Sequence, residues 1–211
     1  MRIALINGSP KTNGSASAAI LQDVRPLLEA ENRVIDAYHL NGPAIRAEEI
    51  ANLSQCDILI FAFPLYVDGI PAHLLQCLLQ LEEYLVTNKK EITVYAVVNC
   101  GFYEGRQNSL AIAMMENWCH RAGLRWGQGL GIGAGGMLAG IRNVPLGSGP
   151  KKNLGRALEQ LAINVSQGAS QESLFITANF PKFAYKLAAE AGWVRSGKAN
   201  GLRWRDLSLR Q

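Results

Sequence analysis

Cysteine is scarce in this chain of 211 residues, and the four present, Cys56, Cys77, Cys100 and Cys119, are scattered with no CxxC pair. No spacing among them suits a structural zinc site. Three lie within apolar or helical runs, where cysteine serves as a small buried hydrophobe, so the thiols read as reduced and the protein as cytoplasmic. Long apolar runs are also missing. The first ten residues, MRIALINGSP, hold too short an apolar stretch for a secretory signal, and nowhere do about 18 apolar residues run uninterrupted, so no membrane span is expected. Histidine is limited to the dispersed His39, His73 and His120, from which neither a metal cluster nor a nucleophilic triad can be assembled. Glu104 and Arg106 read as solvated loop charges rather than an acid–base pair. No catalytic side chain and no metal ligand is therefore assigned.

Apolar residues make up 48% of the chain and charged residues 18%, enough for a sizeable core and too few charges for wholesale disorder. The net charge of +4 is uneven. Residues 181–211 carry seven basic and two acidic side chains, whereas residues 1–180 carry fourteen basic and fifteen acidic. A near-neutral body argues against nucleic-acid binding; the basic tail reads as a solvated face, with a phosphate, an acidic partner or an anionic lipid as the alternatives.

Short β-branched runs alternate with longer amphipathic stretches, the pattern of strands joined by crossover helices. Strands are predicted over Arg2 to Asn7, Arg33 to His39, Asp57 to Phe63, Ile92 to Asn99 and Arg125 to Ile132. Their apolar density fits a parallel sheet covered on both faces. Helices are predicted over Ser15 to Glu31, Arg46 to Leu53, Ile70 to Leu85, Leu110 to Ala122 and Leu154 to Gln167, with Leu74, Leu75, Leu78, Leu79 and Leu81 forming the clearest helical stripe. This predicts one doubly wound α/β domain over residues 1–168. Residues 169–211 form an extension, with one helix from Pro181 to Ala191 and a basic stretch beyond it that shows no strand signal.

Ligands of open parallel sheets sit beyond the carboxyl ends of the strands, so the segments just after strands are the informative ones. Asn7-Gly8-Ser9-Pro10-Lys11-Thr12-Asn13-Gly14-Ser15-Ala16-Ser17 leaves the first strand and runs into a helix. Its hydroxyls, free N–H groups and Lys11 suit a phosphate at a helix N-terminus; an ordinary turn capped by Ser15 or Ser17 is the alternative. It lacks the Gly-Lys-Ser/Thr ending of a nucleotide-triphosphate loop. Pro64-Leu65-Tyr66-Val67-Asp68-Gly69-Ile70-Pro71 supplies an apolar wall for a flat ring. Asn99-Cys100-Gly101-Phe102-Tyr103-Glu104-Gly105 could close the other side. Gly131-Ile132-Gly133-Ala134-Gly135-Gly136 fits GxGxxG literally, but it follows the last strand and no acid stands about 20 positions on. It reads instead as close backbone approach to a ligand or a partner subunit.

INGSPKTNGSAS, FPLYVDGIPAHLLQCL, VVNCGFYEG and LGIGAGGML, in that order, resemble the flavodoxin-like NAD(P)H-dependent FMN reductase and quinone reductase superfamily over residues 1 to about 168. The resemblance implies a five-stranded parallel sheet in order 2-1-3-4-5 with helices on both faces, and non-covalent FMN. By motif position, Ser9, Lys11, Asn13, Ser15, Ala16 and Ser17 would hold the phosphate. Pro64, Leu65, Tyr66, Val67 and Gly69 would flank the ring, with Asn99, Gly101 and Tyr103 on its other edge. Many members carry Arg where Lys11 stands and Asn-Thr where Ser15-Ala16 stands, so one side-chain phosphate contact is unaccounted for. The cysteine cluster of iron–sulfur flavoproteins is absent, and no such centre is expected.

The activity implied is an FMN-dependent oxidoreductase, with NADH or NADPH as reductant and a quinone, flavin, nitro or azo compound as small-molecule acceptor. The alternatives are a flavodoxin-type electron carrier, which the near-neutral body disfavours because carriers present an acidic docking face, and a flavin-binding regulatory protein. A homodimer that completes the crevice is expected from the Gly-rich segment and an apolar second helix face.

Overall fold

All five apolar runs become strands in the computed structural model, which describes residues 1–88, 90–138, 140–203 and 206. They are β1 (Arg2–Asn7), β2 (Val34–His39), β3 (Ile58–Pro64), β4 (Thr93–Asn99) and β5 (Arg125–Ile132), each within one residue at either end of its predicted span. Between them lie α1 (Ala16–Leu28), α2 (Ala47–Ser54), α3 (Ala72–Thr87) and α4 (Ser109–Arg121), followed after β5 by α5 (Gly135–Leu138) and α6 (Lys152–Gln167). Ser15 is the N-cap of α1, its Oγ accepting from the Ala18 N–H at 3.0 Å, and Gly168 ends α6 in the left-handed conformation that glycine favours. The described chain divides into two compact units, Met1–Ala178 and Asn179–Gln211.

A sixth strand, absent from the sequence reading, is β6 (Leu174–Ile176), in the stretch expected to be extension. All pairings are parallel and the order is β2-β1-β3-β4-β5-β6. Order 2-1-3-4-5 stands, with β6 added beyond β5. The inner strands are buried on both faces, whereas the edge strand β2 is partly exposed. One face carries α2, α3 and α4 over Leu53, Leu74, Leu78, Met115 and Trp118; the other carries α1 and α6 over Ile20, Val24, Leu158, Leu161 and Val165. At about 25 cal/mol per Å² of apolar surface, these two layers dominate the folding free energy.

In the second unit, α7 (Lys182–Ala199) continues eight residues past its expected end. Gly192 and Gly197 both lie inside the helix; glycine lowers helix propensity by only about 1 kcal/mol and does not compel a stop. Of the basic tail residues, Arg205 and Arg210 lie outside the described residues.

Candidate functional site

The chain leaves β1 toward β2 on one side and returns to β3 on the other, so the loops after β1 and β3 open at the point where strand order reverses, the usual ligand position of this architecture. The first loop is held by its own polar groups. Asn7 Oδ1 accepts from the Ser9 N–H at 3.1 Å, Ser9 Oγ accepts from the Lys11 N–H at 3.3 Å, and His39 Nε2 lies 3.1 Å from the Ser9 carbonyl oxygen. Gly8 packs closely under this loop: a Cβ there would stand 2.5 Å from a Leu74 methyl and displace that side chain.

Ser9, Ser15 and Ser17 are buried, and each hydroxyl already accepts one hydrogen bond: from Lys11 N–H, from Ala18 N–H and from Asn99 Nδ2 at 2.9 Å, respectively. Each O–H therefore has a proton left to donate. Among the described residues, the backbone N–H groups of Asn13 to Ser17 donate to no protein acceptor. Donors clustered at the positive end of α1 are what an anionic oxygen group needs. Buried polar hydrogens are costly without a partner, so the residues present fit a phosphate.

The ring wall follows β3. The Leu65 N–H donates to the Asn99 carbonyl at 2.8 Å, and Tyr66 and Gly69 exchange two backbone hydrogen bonds at 3.1 and 3.0 Å. The intervening Val67 and Asp68 have φ of 48° and 58°, the left-handed pair that a tight two-residue turn demands. A β-branched residue there is strained, and such strain concentrates at ligand-contacting loops. Val67 is fully exposed at the turn tip.

Asn99 joins the sides of the crevice. Its Nδ2 donates to Ser17 Oγ and, at 3.0 Å, to the Phe63 carbonyl, tying α1, β3 and β4 together. Cys100 Sγ receives Asn108 Nδ2 at 3.4 Å. Burial pushes the Cys100 thiol up, which disfavours the reactive thiolate.

A cavity of about 230 Å³ brings together Lys11, Ala16 and Ser17 of the first loop, Pro64, Leu65 and Tyr66 of the second, and Asn99 and Gly101 of the third. Ser9 and Ser15 are buried in the wall of the first loop, while Asn13 lies exposed on it. Val67 and Gly69 belong to the turn beyond Tyr66. Tyr103 is half-buried and meets Gly133 through its carbonyl. Four lining residues were not among those assigned: Gly14, Cys100, Gly135 and Gly136. All four stand in motifs the sequence reading singled out, but only the fold brings residues 135–136 to the crevice.

The GxGxxG stretch has a plain explanation. A Cβ on Gly133 would lie 2.0 Å from the Tyr103 carbonyl oxygen, and one on Gly131 would lie 2.6 Å from the Phe175 ring. These glycines admit the chain's own backbone and the neighbouring strand, and Gly136 alone of the run faces open space at the cavity. A larger open depression, about 790 Å³, lies beside Arg125 and Trp126 at the start of β5, the opposite end of the sheet from these loops.

Residues 1–76 match a protein family described as having a flavodoxin-like fold. Among solved structures, the chain is similar to an NADH:FMN oxidoreductase in its apo form, with TM-score 0.60 and 15% identity over 81% of this chain and 91% of that one. It is similar to an NADPH-quinone reductase from P. pentosaceus, with TM-score 0.56 and 18% identity over 77% and 98%. A flavodoxin, WrbA-like protein from Agrobacterium tumefaciens gives TM-score 0.56 and 13% identity over 80% and 99%. No curated protein matches the chain. The fold is flavodoxin-like, in agreement with the resemblance carried by the loops.

Proposed function

We propose that the protein is an FMN-dependent oxidoreductase that takes hydride from NADH or NADPH and passes electrons to a flat acceptor such as a quinone, a flavin, or a nitro or azo compound. The observation that carries this reading is the trio of buried serines, Ser9, Ser15 and Ser17, each with an O–H left to donate, beside an apolar crevice walled by Pro64, Leu65 and Tyr66.

The three hydroxyls, the N–H groups of Asn13 to Ser17 and the ammonium of Lys11 hold the FMN phosphate, with the dipole of α1 offsetting its charge. Pro64, Leu65 and Tyr66 exclude water from one side of the ring, and the backbone at Gly101, Gly135 and Gly136 lets it approach closely from the other. Bound FMN supplies the hydride acceptor, and the chain's task is to orient and tune it, which accounts for a site without an acid–base pair. The flavin-binding role belongs to residues 1–168. Four free cysteines, all buried, support a reducing compartment, the cytoplasm, and no described helix is long and apolar enough to cross a membrane.

Purified protein is expected to show the absorbance bands of oxidised flavin, and anaerobic NADH or NADPH is expected to bleach them. A protein that stays colourless and does not take up added FMN would overturn the reading. Flavin bound but left oxidised by both nicotinamides would leave a carrier or a regulatory protein instead.

A further inference from the structure

We propose that Arg142 completes the phosphate site of the first loop from the far end of the sequence, pairing its guanidinium with the FMN phosphate. The inference rests on the flavin reading above and adds a binding residue that neither the loop motifs nor the family resemblance indicates.

Four observations carry it. Arg142 reaches back to the first loop: its Nη2 stands 3.6 Å from the place a Cβ on Gly14 would occupy. Gly14 itself, with φ of +71°, immediately precedes the N-cap of α1. Second, the backbone that presents Arg142 is anchored. Its neighbours Ile141 and Leu146 pack against the core on the α1 and α6 face, and the Val144 N–H donates to the Ile141 carbonyl at 3.0 Å.

Third, the guanidinium has no hydrogen bond or ion pair among the described residues. A neighbouring cation, Lys151, is buried and neutralised by Asp23 at 2.7 Å, so the acid beside Arg142 is already taken. Fourth, the surroundings are otherwise electropositive: the unfilled N–H groups of Asn13 to Ser17, the N-terminus of α1 and Lys11. A cation with no counter-charge next to a helix N-terminus is unfavourable by itself. A dianionic phosphate monoester on the loop reverses the sign of every one of these interactions. Guanidinium suits that partner better than ammonium, because its planar fork can donate two parallel hydrogen bonds to one phosphate.

The test is the affinity of flavin-free full-length protein for FMN and for riboflavin, followed by quenching of flavin fluorescence. In Arg142→Ala, FMN is expected to bind about 10-fold more weakly, as loss of one charge-assisted hydrogen bond predicts, with riboflavin changed less than about twofold. R142K is expected to recover part of the loss, since charge returns without the fork, and the salt dependence of FMN binding should weaken in R142A. Equal FMN affinity in wild type and R142A overturns the inference. Parallel loss of FMN and riboflavin also overturns it, because that outcome marks a structural role. So does an altered preference for NADPH over NADH at unchanged FMN affinity, which would place the guanidinium on the nicotinamide dinucleotide's phosphate. Wild type that binds FMN no more tightly than riboflavin is a different failure, that of the phosphate assignment of the loop.

Discussion

Tyr95 is a polar group at the centre of the sheet, and its environment makes it a reporter of stability. It is fully buried in β4, and its hydroxyl lies 3.0 Å from the Asn164 carbonyl and 2.9 Å from that of Ala169, at the end of α6. Space for the ring comes from a bulge in β5. The register slips between Val94 and Tyr95, leaving Gly127 as the extra residue, where a Cβ would stand 2.6 Å from the ring. Burial pushes the Tyr95 phenol up to about 12, above the value near 10 of an exposed tyrosine. The folded state therefore keeps a proton that the unfolded state loses first. Its contribution is fully present below about pH 10 and declines as pH rises toward about 12, by up to about 3 kcal/mol. Urea unfolding across that range should show a shallower decline for Tyr95→Phe than for wild type, and a stability lower by about 1–3 kcal/mol at pH 8, where the two carbonyls lose their donor. Identical slopes would show that Tyr95 does not titrate as described. From sequence, Tyr95 reads as one more apolar strand residue; its acceptors lie 69 and 74 positions on, where no periodicity points.

Among the elements, the five main strands were legible because each is a segment of six to eight residues carrying apolar side chains, densest in β1, β3 and β4, and bounded by turn formers. β6 was not, for two physical reasons. It has three residues, Leu174 to Ile176, too short to show alternation. It is also reached by an unusual route: the crossovers through α2, α3 and α4 move toward the β5 edge over one face, while α6 makes the same move over the opposite face. The β5–α6–β6 connection thus has the opposite hand to the others, a rare arrangement for parallel strands. The crevice-forming loops after β1, β3 and β4 were legible from composition and position; Gly135 and Gly136 join them only through the course of the chain beyond β5. What secures β6 is close backbone packing at Gly105, where a Cβ would lie 2.2 Å from the Ile176 carbonyl oxygen and 2.5 Å from that of Gly131. Gly105→Ala should therefore force the Gly105–Asn108 turn off β5 and β6 and lower stability by about 2–4 kcal/mol, in the range of severe overpacking. Gly136→Ala, with nothing within 4 Å of the added methyl, should stay within about 0.5 kcal/mol of wild type. Thermal unfolding of the pair distinguishes backbone packing from a general intolerance of change in the glycine-rich region, which would lower both alike.

At the scale of the whole molecule, the crevice stands beside an exposed apolar surface. Tyr66, Val67, Phe102, Leu110 and Met114 are all exposed. The Met114 side chain reaches the ring-wall turn, its Sδ lying 3.4 Å from where a Cβ on Gly69 would be, and Leu110 stands one helical turn before Met114 on α4. Large apolar side chains gathered at one place mark an interaction surface more often than a solvated one. Of the Gly-rich segment, Gly131 and Gly133 are occupied by contacts within the chain, whereas Leu110 and Met114 leave an apolar face exposed on α4. We propose that a second copy covers this face of α4 and the Tyr66–Gly69 turn, completing the flavin crevice. Light scattering is expected to give twice the 23.0 kDa of one chain. Leu110→Glu combined with Met114→Glu places two charges on the face and should yield a folded monomer, because desolvating an unpaired carboxylate costs several kcal/mol. If the partner closes the crevice, that monomer should also bind FMN more weakly than the dimer. Wild type of 23.0 kDa with full reductase activity would remove the second copy from the mechanism, and a dimer indifferent to both substitutions would place its interface on another surface.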